Sequence, residues 1–147
     1  MVMESAKGGS VSNSEEVFNV MKPLMAGHPD VEVVYGIFLN PRNKILAIEK
    51  LSSGTITCSS LYPREIVKQM IKFRSSALIL AHNHPSGDTE PSQADIQVTG
   101  HAFVALASIG AELHDHIIVG QSYLSLADKG YIKHFKEEYG RLVHGVG

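Results

Sequence analysis

The sequence holds a single cysteine, Cys58, so an internal disulfide framework is excluded. A chain built without one fits a reducing compartment. Neither sign of charge dominates: Lys+Arg number 13 against Asp+Glu 15, for a net charge of −2 and a pI near 6.4. That balance counts against a dedicated nucleic-acid binder, whose phosphate contacts demand a basic excess. No apolar run approaches the length needed to cross a bilayer. The opening Met1-Val2-Met3-Glu4-Ser5 has no charged-then-apolar signal pattern. Internal repeats and low-complexity segments are absent, as are H-E-x-x-H, P-loop and Rossmann glycine patterns. What is present is an ordinary globular balance, 44% hydrophobic and 19% charged, over 147 residues. A chain of that length suits one domain and buries about 68–70% of its unfolded surface. The expectation is a soluble, cytoplasmic, single-domain protein.

Along the chain, residues 1–12 are small and polar and predict a flexible tail, with the folded domain over 13–147. Ser12 or Ser14, followed by Glu15 and Glu16, signals a helix start, and Pro23 should bend or shorten that helix. Residues 31–39 are too densely apolar for a one-sided strand and predict a buried one. The turn Asn40-Pro41-Arg42-Asn43 leads to a second strand over 44–51, and a third is expected after Gly54. Pro63 opens a helix to about Arg74. Its Arg64, Lys68 and Lys72 form a basic stripe, which as a rule is a solvated face rather than a partner site. A short strand at 76–81, a helix ended by Gly110, strands near 112–119 and 123–126, and a helix over 131–142 complete the order. This alternation predicts an α/β layered fold with a mixed sheet flanked by helices.

The stretch from His82 to Asp95 carries the chemistry. His82 and His84, one residue apart at a strand's end, project to the same side and can reach one ion. Asp95, on the first turn of the next helix, can return a carboxylate to that ion. Three protein ligands leave a fourth position for water, the arrangement of a catalytic zinc site. The turn Pro85-Ser86-Gly87-Asp88 can fold the helix start back onto the strand. Each piece has a plainer reading, and Ser92-x-x-Asp95 can simply be a variant capping box.

H-x-H, seven intervening residues and S-x-x-D together match the JAMM motif of the JAB/MPN metalloprotease superfamily. Tyr62-Pro63-Arg64-Glu65, the run Ala77 to Asp88 with its His-Asn-His-Pro-Ser-Gly, and Asp115-His116-Ile117-Ile118-Val119-Gly120 resemble the bacterial RadC family, traditionally named for DNA repair. The resemblance spans roughly residues 14–130. It implies a JAB/MPN (cytidine deaminase-like) layered fold, with His82, His84 and Asp95 ligating Zn2+ and Ser92 polarising the reacting oxygen. It also implies an upstream glutamate as general acid/base. Glu32 stands where RadC-like sequences carry theirs; Glu49, on the partner strand, is the alternative. The implied reaction is hydrolysis of a peptide or isopeptide amide by a zinc-bound water. Longer RadC-like relatives carry an N-terminal helical region for which this chain leaves no room.

Other residues carry weaker signals. Asp115 and His116 can buttress the metal site, with packing an equal alternative. His28, His101, His114, His134 and His144 show no ligand spacing, and Cys58 reads as a buried structural thiol. Rival patterns fail: Pro85, Ser86 and Gly87 break the H-x-H-x-D-H of metallo-β-lactamase-type hydrolases, and the contiguous His-Asn-His is not a nuclease's ββα-metal motif. The remaining alternatives are a DNA repair-associated role and a non-catalytic MPN scaffold. The expected partner is a protein or peptide substrate, without membrane and with nucleic acid disfavoured. An exposed strand edge could pair two copies in a homodimer.

Overall fold

The structure is a computed structural model that describes residues 7–54 and 61–145. Four helices and five strands make up the described chain: α1 Ser14–Met25, β1 Val33–Leu39, β2 Ile45–Ser53, α2 Pro63–Lys72, β3 Ala77–Asn83, α3 Gln93–Ser108, β4 Glu112–Val119, β5 Tyr123–Ser125 and α4 Tyr131–His144. The strands form one mixed sheet in the order β2-β1-β3-β4-β5. Only β3 and β4 are parallel. A parallel pair needs a crossover of a dozen or more residues, and α3 supplies it. No helix among the described residues is long and apolar enough to cross a membrane.

Helices cover both faces, so β1 and β3 are buried at every position. Val33, Tyr35, Ile37 and Leu39 of β1 meet Val17, Met21 and Met25 of α1 on one side. Val34 and Phe38 join Leu78 and Leu80 against Ile66 and Met70 of α2 and Val98, Phe103 and Leu106 of α3 on the other. This two-sided burial explains why neither central strand shows polar alternation. The α4 helix lies outside, where Phe135 and Tyr139 pack on Phe103 of α3.

Topology builds the site. Because β1 runs antiparallel to β3, with Val34 opposite His82, the residue just before β1 lies beside the end of β3. That end is also where the chain turns into α3. Three separate segments therefore converge at one rim of the sheet.

Several boundaries differ from expectation for identifiable reasons. Asn13, not Ser12 or Ser14, caps α1, accepting a hydrogen bond from the Glu16 N–H at 2.9 Å. Pro23 sits in the last turn of α1, where the helix ends two residues later. The tail expected over 1–12 is tied down at its described end: Gly8 N–H donates to Ile45 O at 2.8 Å, Ile45 N–H to Gly9 O at 2.7 Å, and Val11 is buried. A short segment that adds backbone pairs beside β2 no longer behaves as a loose end. Strand β3 runs two residues further than expected, taking in His82 and Asn83. Gly110, with φ of +77°, follows the Ile109 C-cap of α3. The stripe of Arg64, Lys68 and Lys72 is exposed, with Arg64 and Lys72 lying over Tyr62 and Phe73. Cys58 and the third strand expected after Gly54 lie outside the described residues.

Candidate metal centre

His82 enters the site on the α3 face of β3, the side shared by Leu78 and Leu80. His84 lies just beyond the strand, where its N–H donates to Val119 O at 2.9 Å and holds the loop to β4. The loop then turns tightly, with Gly87 N–H donating to His84 O and Gly87 at φ of +87°. It delivers the chain to Ser92, the N-cap of α3. The Asp95 N–H donates to Ser92 Oγ at 3.0 Å and the Ser92 N–H to Asp95 Oδ2 at 2.8 Å, so the capping box is real. The cap aims Asp95 at the histidines: Oδ1 lies 3.3 Å from His82 Nε2, and Oδ2 lies 3.2 Å from His84 Nε2. Glu32 joins from the start of β1. One ligand atom from each of Glu32, His82 and His84 falls within 4.8 Å of the others. Glu49 is not part of this group; it sits in β2 opposite Gly36.

The histidines are held in the tautomer a metal needs. His84 Nδ1–H donates to the Asp88 carbonyl at 2.7 Å, which leaves the neutral ring's lone pair on Nε2. For His82 the assignment runs through two further residues. The Thr99 hydroxyl donates to the Asp95 carbonyl. Having one proton, Thr99 Oγ1 must accept from His116 Nδ1–H at 2.6 Å. His116 Nε2 then accepts from His82 Nδ1–H at 2.9 Å. His82 is thereby left with its Nε2 lone pair facing Asp95. The orienting of ligating imidazoles by such outer partners is a general feature of metal sites.

Burial and charge agree with this geometry. His82, Asp95, Thr99 and His116 are fully buried. Burial drives the His116 imidazole down to about 3, helped by the neighbouring His82, so it is neutral. Burial alone would raise the Asp95 carboxyl, but the Nε2–H and positive charge that the facing imidazoles carry when protonated, together with the Ser92 N–H, hold it far below the ordinary carboxylate range. The Asp95 carboxylate raises His84 in turn. His82 Nε2 and Asp95 Oδ1 are both buried without a hydrogen-bond partner. Leaving buried polar atoms unpaired costs about 1–3 kcal/mol each, and a cation between them removes that cost. Two imidazole nitrogens with carboxylate oxygens form a donor set suited to zinc. The site therefore fits a metal ion.

Of the two residues with an equal packing alternative, His116 reaches the cluster and Asp115 does not. Asp115 Oδ1 accepts from His116 N–H and Ala127 N–H, and its Oδ2 accepts from the Ser125 hydroxyl at 2.6 Å, tying β4 to β5. His134 pairs with Glu138 on α4, and His28 Nε2 lies 3.1 Å from the Tyr35 hydroxyl. Thr99 escapes a reading by motif. Its only signal is its position one helical turn after Asp95.

The family model described as "RadC-like JAB domain" matches residues 11–131. The chain is 42% identical over 130 residues to a UPF0758 protein of Thiobacillus denitrificans, covering 88% of this chain and 58% of that relative. It is 34% identical over 126 residues to a UPF0758 protein of Vibrio cholerae, covering 86% of this chain and 79% of the relative. A third, UPF0758 protein STH371 of Symbiobacterium thermophilum, is 41% identical over 121 residues, covering 82% and 51%. The chain thus spans little more than half the length of the first and third. A mixed five-stranded sheet between helices, with this motif at its rim and this match along most of its length, is the family's domain: the chain belongs to the RadC-like JAB domain family.

Proposed function

We propose that this domain is a zinc-dependent metallohydrolase that cleaves a peptide or isopeptide amide bond. One observation supports the reading above others: two buried polar atoms without partners, His82 Nε2 and Asp95 Oδ1, face each other, with Asp95 Oδ2 beside His84 Nε2 and with both histidines clustered with Glu32. His82, His84 and Asp95 would hold the zinc. Bound there, zinc would supply Lewis-acid polarisation and an acidified water. Glu32, beside the two imidazoles, takes the proton of the attacking water and delivers it to the leaving amine. The Ser92 Oγ accepts the Asp95 N–H as cap and keeps its own proton to donate to the developing oxyanion. Capping and catalysis are thus compatible uses of one hydroxyl.

The test is metal content by elemental mass spectrometry on protein purified without chelator or histidine tag. Near-stoichiometric zinc is expected in the wild type and not in His84→Ala or Asp95→Ala. With zinc added in excess, so that weaker binding does not empty the site, Glu32→Gln is expected to hold the metal and lose cleavage of a fluorogenic peptide library. A wild type that takes up no zinc on addition would overturn the reading and favour a non-catalytic scaffold.

A further inference from the structure

Between the two histidines stands Asn83, which alternation along β3 sends to the opposite face of the sheet. It is 6% exposed, and its carboxamide is fully engaged. Asn83 Oδ1 accepts the Val33 N–H at 2.7 Å. Asn83 Nδ2 donates to the Val31 carbonyl at 3.0 Å and to the His28 carbonyl at 2.9 Å. A backbone N–H can only donate and a carbonyl can only accept, so the orientation of the carboxamide is fixed. The Val31 carbonyl belongs to the peptide group before Glu32 and the Val33 N–H to the one after it. One side chain therefore pins both peptide units that flank the glutamate.

The need for such a clamp follows from the sheet. The β1–β3 ladder ends at Val34 opposite His82. Residues 28–33 approach beyond that last pair, where backbone pairing to β3 no longer holds them. On the β2 side the Gly54 N–H still donates to the Glu32 carbonyl at 2.8 Å, so what Asn83 adds is the tie to the strand that carries the histidines. Asn83 continues the ladder with a side chain. Glu32 shares the parity of Val34, which packs on the α3 face where His82 also lies. Locking its two peptide units therefore fixes its side chain relative to the histidines on that face.

We infer that Asn83 is the positioning residue for Glu32: from the far side of the sheet it fastens the glutamate to the strand that carries the metal-binding histidines. The inference rests on the proposed metal centre and assigns a task to the residue between the two histidines. Asparagine alone among small side chains offers both the acceptor for Val33 and the donors for Val31 and His28.

The test is a double-mutant cycle on zinc affinity, read by competition with a chromophoric chelator and requiring no substrate. Glu32→Gln removes a carboxylate beside the ion, and Asn83→Ala removes its support. Each is expected to weaken zinc binding by about 10–100-fold. The double variant is expected to match Glu32→Gln within about twofold, because the clamp acts only through the glutamate. Amide hydrogen exchange in the same samples should show Val33 losing protection in Asn83→Ala. Asn83→Asp, which keeps the acceptor for Val33 and loses both donors, carries the test where the alanine variant does not fold. Losses that multiply would mean that Asn83 acts on the histidines directly and would overturn the inference. So would unchanged protection at Val33. Zinc binding that survives His84→Ala would instead overturn the metal centre itself, which keeps the two failures apart.

Discussion

At the scale of single residues, the site is an exercise in proton placement. Neutral His82 can present a lone pair at Nε2 only if Nδ1 holds the proton. The carrier of that constraint is Thr99, whose one proton is committed to the Asp95 carbonyl. Thr99→Val is nearly isosteric but removes the acceptor for His116 Nδ1–H, and a buried donor left unpaired costs about 1–3 kcal/mol. The His116 proton then gains by moving to Nε2, where it opposes His82 Nδ1–H and disfavours the metal-binding tautomer. Zinc affinity in Thr99→Val is expected to fall by about 10–100-fold with the fold intact. Thr99→Ser, which restores the hydroxyl, should recover most of it. Imidazole nitrogen chemical shifts would report the tautomer, and a His82 signal unchanged in Thr99→Val would sink the relay. The sequence announced His82, His84, Ser92 and Asp95 because their spacing is itself the geometry of a strand end and a helix start. Thr99 and Asn83 were silent, since a hydrogen bond to the His116 side chain on another strand, or to backbone atoms of the segment before β1, leaves no spacing pattern.

At the scale of elements, the legible parts were those with local causes. Pro63 at the start of α2, Gly110 after α3 and the polar turn between β4 and β5 act within a few residues of themselves. The placement of His116 has no such local cause. Simple alternation along β4 puts Leu113 and Asp115 on one face and sends His116 to the other. The pairing with β3 slips instead: Leu78 faces Leu113, but Ile79 faces Asp115 and Leu80 faces His116. One extra residue in β4 turns His116 onto the α3 face, as bulges characteristically re-aim a side chain beside a site. The loop after His84 depends on a similar long-range fit. A Cβ on Gly120 would stand 2.5 Å from the Gly87 carbonyl oxygen and 2.9 Å from Thr89 Cγ2. Gly120→Ala is therefore expected to lose about 1–3 kcal/mol of stability and to displace the loop that supplies the Asp88 carbonyl to His84. Gly140→Ala is the contrast: nothing lies within 4 Å of its Cβ, and it sits in α4. That change should be neutral or stabilising by up to about 1 kcal/mol. Urea unfolding of both variants checks the pair, and equal stability would refute the close-approach argument.

At the scale of the whole molecule, a buried neutral histidine couples folding to pH. His116 is faced by His82, His84 and Asp95 and has its folded-state value pushed down to about 3, against an ordinary 6.5. A lowered histidine leaves the unfolded chain binding more protons, so stability is complete above about pH 6.5 and falls as pH drops toward 3. One proton sets a limiting slope of about 1.4 kcal/mol per pH unit. The other shifted groups of the site act in different windows. Asp95, held far below its ordinary 3.8, contributes stability that is lost only as pH falls below that value. His84, raised above 6.5, contributes stability that is lost as pH rises through its folded value. Between about pH 4 and 6 the His116 slope therefore stands apart from both. Asp115, raised above its ordinary 3.8 by burial, acts there with the opposite sign but is shared by the two proteins compared next. In chelator, wild-type unfolding free energy measured at pH 6, 5 and 4 should decline more steeply than that of His116→Asn, which has no imidazole to charge on unfolding. Parallel declines would mean that His116 is not held neutral in the fold. The relay from Thr99 through His116 to His82 would then lose its middle member, because a charged His116 has no lone pair with which to accept the His82 proton.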